Sequence, residues 1–108
     1  MSYGVRIMCR SCKRSHDTYN YTYNLAPMFR FGFAEVGPHE DGLRTLHGMD
    51  SSAAAELLTA VIARLEREPN LERFDAANGW GYAAGALAFL REVQRRCADD
   101  YGHEVYVS

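Results

Sequence analysis

Apolar and polar positions alternate in two neighbouring stretches near the start of the chain. Residues 3–9 form the first stretch, and a polar segment, residues 11–17, separates it from the second. One side of the second stretch carries Tyr19, Tyr21, Tyr23 and Leu25, and the other carries Thr18, Asn20, Thr22 and Asn24. A period of two is typical of a strand with one covered face. The pattern predicts an antiparallel hairpin whose second strand ends near Leu25, because Pro27 cannot donate to a ladder.

Helical spacing replaces alternation in the second half of the chain. One apolar stripe predicts an amphipathic helix from about Ser51 to Glu68, with residues 50–52 as candidate caps and Pro69 as the stop. A second stripe predicts a helix from near Asn78 to about Ala98. This stripe comprises Tyr82, Ala83, Ala86, Leu87, Phe89, Leu90, Val93 and Cys97. Residues 103–107 alternate again and predict a short last strand.

The segment between the hairpin and the first helix is rich in aromatic residues and glycine. Residues 28–33 predict one helical turn after Pro27, and residues 32–48 predict a long loop held to the core by Leu43 and Leu46. The order β-β-α-α-β predicts a single α+β domain over residues 1–108. We expect a two-layer sandwich, in which two helices cover one face of a small antiparallel or mixed three-stranded sheet. The tyrosine row then faces the helices, and the row of amides and hydroxyls faces outward.

The composition is that of an ordinary globular protein. With 47% hydrophobic and 24% charged residues, the chain is not of the disordered, collagen-like or coiled-coil class. A net charge of −2 gives no general footprint for nucleic acid, and no apolar run reaches the roughly 18 residues of a membrane span. The start of the chain lacks the apolar run of a signal peptide, and three cysteines do not make a disulfide framework. These features predict a cytoplasmic protein with no membrane partner.

The outward row supplies the first candidate binding surface. Asparagine offers both a donor and an acceptor, which suit a nucleobase edge or a peptide backbone, yet it is a poor strand former. Asn20 and Asn24, with Thr22 between them, are therefore candidates for recognition, and the alternative is an ordinary solvent-facing strand. Met28 and Phe29, at the corner that follows, extend this candidate surface.

A second candidate lies at the predicted start of the last helix, at Asn78, Gly79, Trp80 and Gly81. Asparagine can cap the helix, a helix start attracts anions, and Trp80 can stack on a base or a partner side chain. The alternative is a capping turn whose tryptophan closes the core. Glycine inside a helix costs about 1 kcal/mol relative to alanine, which predicts a close approach at Gly81 and Gly85. The small face predicted to join two copies in a homodimer comprises Gly81, Ala84, Gly85 and Ala88.

A third candidate is a metal site with the spacing C-x2-C-x3-H, formed by Cys9, Cys12 and His16. Zinc takes sulfur and nitrogen ligands, and this spacing lets one turn wrap the ion. The fourth ligand would come from Cys97, His39, His47 or His103. The alternative is a buried cysteine at a strand end and an exposed one in a turn. No esterase nucleophile, phosphate loop or dinucleotide fingerprint is present, so the sequence gives no catalytic residue.

Three stretches carry a pattern in common with other proteins: Y-N-x-T-x-N-x-x-P-M-F over residues 19–29, G-L-x-x-L-x-G-M over residues 42–49, and N-G-W-G over residues 78–81. The pattern resembles that of small, mostly uncharacterised proteins of bacteriophage, prophage and actinobacterial genomes. It covers about residues 19–97 and leaves out the Cys9/Cys12 turn. The resemblance implies a mobile-element context and a compact binder, and it implies no catalytic residue.

Three hypotheses follow from the sequence. The first is a non-catalytic binding module without a cofactor, which captures or inhibits a host protein or a small nucleotide through the two candidate surfaces. The second is a small zinc-binding domain or metal-dependent enzyme built on the cysteine turn, with His39 or His47 nearby. The third is a regulatory DNA-binding partner, which the charge balance disfavours.

Overall fold

The structure, a computed structural model, describes residues 2–12, 15–99 and 102–108, and the side chains of residues 15–18 lie outside this description. The strands are β1 (Ser2–Cys9), β2 (Ser15–Thr22) and β3 (His103–Val107), and the helices are α1 (Ala26–Glu35), α2 (Ser51–Glu66) and α3 (Ala83–Asp99). Shorter 3₁₀ turns span Tyr23–Leu25, Gly42–Leu46 and Leu71–Phe74. The predicted α+β class is confirmed. The described sheet is antiparallel throughout, in the order β2-β1-β3.

The inner face of the sheet packs against the helices, and its alternation is the one that the sequence predicts. Tyr3, Val5 and Ile7 of β1 are buried, and the paired residues of the neighbouring strands share their face. Tyr19 lies opposite Val5, and both Tyr19 and Tyr21 pack against the core. The tyrosine row therefore faces the helices, as expected, while Asn20 is exposed.

Helix α1 extends the single turn predicted for residues 28–33 to ten residues and takes residues 32–35 from the predicted loop, so the predicted extent of both segments was wrong. Met28, Phe29, Gly32 and Phe33 are buried along one side of this helix. Two adjacent pairs four residues apart make a narrow helical stripe, which is hard to recognise in a segment so rich in aromatic residues. Leu43 and Leu46 are fully buried, as expected. Met28 and Phe29 are also 0% exposed, which contradicts their predicted contact with a partner.

Strand β2 ends at Thr22, three residues earlier than predicted. The Thr22 hydroxyl accepts a hydrogen bond from the Asn24 N–H at 3.2 Å, which starts the 3₁₀ turn Tyr23–Leu25. Threonine side chains compete with the strand ladder in this way because they offer the backbone a local partner. Asn24 consequently leaves the strand and projects from a corner.

The two long helices differ in how well their starts were predicted. Helix α2 begins after Asp50, whose carboxylate accepts from the Ser52 N–H at 3.2 Å, as the sequence indicates. Helix α3 begins at Ala83 rather than near Asn78, and the Ala83 N–H donates to Asp75 at 2.7 Å. The predicted capping role of Asn78 is therefore wrong. Tyr82, predicted to face the core, precedes the helix and is 57% exposed.

The cap of α2 makes a pH-dependent contribution to the stability of the folded chain. The hydroxyl of Ser52 donates to Asp50 and is the main cause that lowers the pKa of this carboxyl. A lowered pKa in the folded chain means that the stabilisation is present above the ordinary aspartate pKa and is lost as pH falls through the lowered one. Ser52→Ala should raise the pKa of Asp50 towards its ordinary value. Carboxyl NMR titration of both proteins measures this shift, and an unchanged Asp50 pKa would contradict the assignment.

Candidate functional site

A groove of about 960 Å³ lies between the end of β2 and the segment that precedes α3. We call it the β2–Trp80 groove. Its lining residues are Ser2, Asn20, Tyr21, Thr22, Tyr23, Asn24, Asn78, Trp80, Gly81 and Tyr82. The volume lies within the range of clefts that bury small ligands, roughly 300–1,000 Å³. The fold thus joins the two surfaces that the sequence predicts separately.

The hydroxyl of Tyr21 fixes one wall of the groove to the other. It donates to the Tyr82 carbonyl at 2.9 Å and accepts from the Tyr82 N–H at 3.3 Å. The Tyr21 ring is held from behind by Phe89, with 5.5 Å between ring centroids, and by Phe29 at 6.5 Å. A core aromatic residue therefore positions the backbone that leads into α3.

Two glycines make room for this arrangement. A Cβ on Gly85 would lie 2.5 Å from the Tyr21 hydroxyl oxygen, well inside van der Waals contact. Gly81 has a φ of +130°, which disfavours other residues, and a Cβ there would lie 2.7 Å from Cγ2 of Thr22. The predicted close approach is confirmed at both positions, and the approaching groups belong to the same chain.

This packing contradicts the predicted small-residue face for a homodimer. The sides of Gly81 and Gly85 on which another residue would carry its Cβ face β2 and the turn that follows it. Ala84 and Ala88 are exposed. The four residues consequently do not form one open surface on which a second copy can lie.

Hydrogen bonds also hold the main chain of Trp80. Its carbonyl accepts from Nδ2 of Asn24 at 3.0 Å, and its N–H donates to Oδ1 of Asn78 at 3.0 Å. The carbonyl of the following Gly81 accepts from the Ala76 N–H at 2.9 Å. The indole itself is 74% exposed, so the alternative in which this tryptophan closes the core is wrong. The result is an aromatic side chain presented to solvent from an anchored backbone.

The described lining of the groove is uncharged. None of the described residues that line it carries a formal charge at neutral pH. Behind it, Arg44 donates to the Tyr23 hydroxyl at 3.1 Å, and burial raises the pKa of Tyr3, whose ring centroid lies 4.5 Å from that of Tyr23. The groove therefore offers amides, hydroxyls and aromatic surface, which suit an uncharged ligand with its own hydrogen-bonding groups.

Among the predicted site residues, Asn20, Thr22, Asn24, Asn78, Trp80 and Gly81 come together in the groove. Gly79 lies outside the lining; its φ of +77° permits the turn that carries the neighbouring tryptophan. Met28 and Phe29 lie in the core beneath. The groove is also lined by four residues that were not predicted from the sequence: Ser2, Tyr21, Tyr23 and Tyr82. Gly81 and Gly85, on either side of Tyr82 in the sequence, could have pointed to its place in the groove. Two glycines so close together often mark a stretch of backbone that another group approaches closely.

The cysteine turn is not assembled as a metal site in the described part of the chain. Cys9 is half-buried at the end of β1, Cys12 is exposed, and the Cys12 N–H donates to the Cys9 sulfur at 3.5 Å. No group of three histidine, cysteine or acidic side chains able to hold a metal occurs among the described residues. The side chain of His16 lies outside that description.

The two histidines of the predicted loop lie apart from the groove lining. Nδ1 of His47 accepts from the Val107 N–H at 3.0 Å, and its ring meets Tyr106 edge-on. His47 therefore satisfies an outward-facing backbone group of β3. His39 is half-buried, and its backbone N–H donates to the Gly37 carbonyl at 2.8 Å. Each histidine thus has a local structural contact.

No protein-family model matches this chain, and comparisons with curated proteins and with solved structures also find no match. The resemblance to small phage and actinobacterial proteins stays a prediction. Within the described chain, no helix is both long enough and apolar enough to cross a membrane. The chemistry of the groove residues themselves is thus the basis for inferring what this protein binds.

The contact between Gly85 and Tyr21 predicts that the effect of Gly85→Ala on the free energy of unfolding depends on whether residue 21 carries a hydroxyl. Gly85→Ala should destabilise the native chain by about 1 kcal/mol, because displacing the Tyr21 hydroxyl loses two hydrogen bonds and outweighs the gain in helix propensity. In a Tyr21→Phe background the same change should be neutral or stabilising by up to about 1 kcal/mol, since the ring carbon Cζ lies at an ordinary 3.4 Å.

Urea unfolding of the four proteins measures this cycle. Equal effects of Gly85→Ala in both backgrounds would show that the Tyr21 hydroxyl does not occupy the space beside Gly85.

Proposed function

We propose that this protein is a non-catalytic binding module that acts in the cytoplasm and holds its partner in the β2–Trp80 groove. The observation that carries the proposal is the exposed indole of Trp80 on a backbone fixed by Asn24 and Asn78. Exposed tryptophan is uncommon on a protein surface without a contact to make, and anchored aromatic residues dominate binding energies at protein interfaces. Fixing the backbone in advance reduces the entropy lost on binding.

The residue types in the groove support binding over chemistry. Among the described lining residues there is no carboxylate, imidazole, thiol or amine, which are the usual proton-transfer groups and nucleophiles. The hydroxyl of Tyr21 is already engaged with the Tyr82 backbone, and that of Tyr23 accepts from Arg44. What the groove offers is hydrogen-bond donors, acceptors and apolar area.

The neutral lining favours a protein partner over a small nucleotide. A base can stack on Trp80, but nucleotide sites pair aromatic stacking with positive charge or helix-start amides for the phosphates. No lysine or arginine is among the described lining residues. At the start of α3, the Tyr82 and Ala83 N–H groups already donate to Tyr21 and Asp75. Capture of a protein is therefore the form of the proposal that the groove supports best, and the host partner and mobile-element context come from the resemblance of the sequence pattern alone.

Trp80→Ala should abolish binding and leave the fold intact. The indole is exposed, so its loss removes little core packing, whereas tryptophan hot spots lose about 2 kcal/mol or more, a drop of at least roughly thirtyfold in affinity. The wild-type protein, Trp80→Ala and the control Arg95→Ala are immobilised and exposed to a bacterial lysate, and bound proteins are quantified by mass spectrometry. Arg95 is exposed on α3, where it pairs with Glu92.

The expected result is a partner retained by the wild-type and Arg95→Ala proteins and lost from Trp80→Ala. Equal retention by all three would contradict the assignment of the groove. Denaturing extraction of the purified protein tests the nucleotide alternative, because a stoichiometric nucleotide in the extract would displace the protein partner as the preferred ligand class. The single tryptophan of the chain also reports binding directly through its fluorescence.

A further inference from the structure

The hydrogen bonds near the start of β1 show which backbone groups of β2 face outward. Gly4 and Ser108 exchange two hydrogen bonds, at 3.2 and 2.8 Å, so the N–H and carbonyl of Gly4 point towards β3. Successive residues in a strand turn these groups to opposite sides, so Tyr3 and Val5 point towards β2. Asn20 lies opposite Gly4 in the register. The N–H and carbonyl of Asn20 consequently point away from β1, into the space beyond the sheet.

The opposite edge of the sheet is covered, and this edge is not. On β3, the Val105 N–H donates to Met49 at 2.9 Å, the Val105 carbonyl accepts from Gly48 at 2.8 Å, and His47 accepts from Val107. No comparable hydrogen bond reaches the backbone of Asn20 from the described residues. One edge is therefore closed by residues 47–50, and the other is open at the groove.

At the groove, the open edge lacks the features that protect edge strands from pairing. Charged side chains, prolines and a covering segment are the usual protection. Asp17 is charged, but residues 18–22 of β2 contain neither a charged residue nor a proline. They alternate tyrosine with threonine or asparagine, which is a composition suited to pairing with another strand.

The groove runs along this edge. Asn20, Tyr21, Thr22, Tyr23 and Asn24 all line it. Side chains of neighbouring strand residues point to opposite faces, so consecutive residues share a groove where the edge of the strand is its wall. Trp80 and Tyr82 stand as the second wall across from the edge.

We propose that an extended, uncharged peptide segment of the partner protein adds to the sheet at Asn20 and places one side chain against Trp80. This inference rests on the proposed function and names the kind of partner. Strand addition takes its affinity from main-chain hydrogen bonds and its selectivity from alternate side chains, and the groove provides for both. The neutral lining matches an uncharged segment, because a buried charge would find no partner there.

The shape of the groove favours a partner segment over a second copy of this chain. The hydrogen bond between Asn24 and the Trp80 carbonyl closes the groove at the end of β2, whereas Asn20 is the last described lining residue of β2 towards the other end. Two-fold pairing of β2 with β2 needs the edge equally accessible on both sides of its centre. A short segment that ends against Trp80 needs the edge to be accessible on one side only.

The experiment uses random dodecapeptides displayed on phage and selected against the wild-type protein. The recovered sequence is synthesised and titrated, with Trp80 fluorescence as the signal. A scan with one N-methylated residue at a time should weaken binding at least about tenfold at every second position and less than about threefold between them, because alternate N–H groups of a paired strand face β2. A scan with no period of two would overturn strand addition.

Two variants of Asn20 separate backbone pairing from side-chain contact. Asn20→Pro removes the outward N–H, and proline is tolerated at an edge because no ladder bond is lost. Both variants lose the side-chain amide, but only Asn20→Ala keeps the N–H, so Asn20→Pro should bind the peptide at least about tenfold more weakly than Asn20→Ala. Circular dichroism and thermal unfolding confirm that both variants fold. Equal affinity of the folded Asn20→Pro and Asn20→Ala proteins for the peptide would overturn the proposal.

The remaining outcomes separate this inference from the proposed function. If Trp80→Ala abolishes binding of a partner that presents no extended segment, the groove is a binding site and strand addition is wrong. Sedimentation velocity of the protein alone tests the second copy: a dimer lost in Asn20→Pro would show that the edge is occupied by another β2. A monomer at all concentrations supports the edge being open to a partner segment.

Discussion

The hydroxyl of Tyr21 is the point on which the arrangement of the groove depends. It makes two hydrogen bonds to the backbone of Tyr82, and it stands where the side chain of any residue other than glycine at position 85 would be. Its ring is fixed by Phe29 and Phe89 in the core. Strand β2, the core and the start of α3 are thereby joined at one atom. The segment before α3 takes its position from that contact, and Trp80 takes its direction from the segment.

This dependence explains how a small chain keeps an aromatic side chain exposed on an ordered backbone. A loop with few buried side chains normally opens at little cost in free energy. Here the loop contributes its backbone groups to Asn24, Asn78 and Tyr21, so order comes from hydrogen bonds and leaves the indole unburied. Each such bond contributes about 1 kcal/mol, and together they hold the second wall of the groove in place.

The sequence predicted the elements whose period is long and regular, and it failed where geometry is set across the chain. Helix α2 and strands β1 and β3 follow strict patterns and were predicted closely. Helix α1 was predicted as a single turn because its buried side is a narrow stripe, and β2 was extended too far because Thr22 caps the following turn. The glycines at positions 81 and 85 predicted that another group approaches the backbone there, but not which group it is. The groove joins Asn24 to Trp80, 56 residues apart, and no local pattern carries that contact.

Amide hydrogen exchange at Tyr82 tests the central role of Tyr21 most directly. The Tyr82 N–H donates to the Tyr21 hydroxyl, so it should exchange slowly in the native chain and about tenfold faster in Tyr21→Phe. The amide of Leu90, inside α3, serves as the internal reference and should not change between the two proteins. If Tyr82 exchanges at the same rate with and without the hydroxyl, Tyr21 does not hold the wall of the groove, and the position of Trp80 must have another cause.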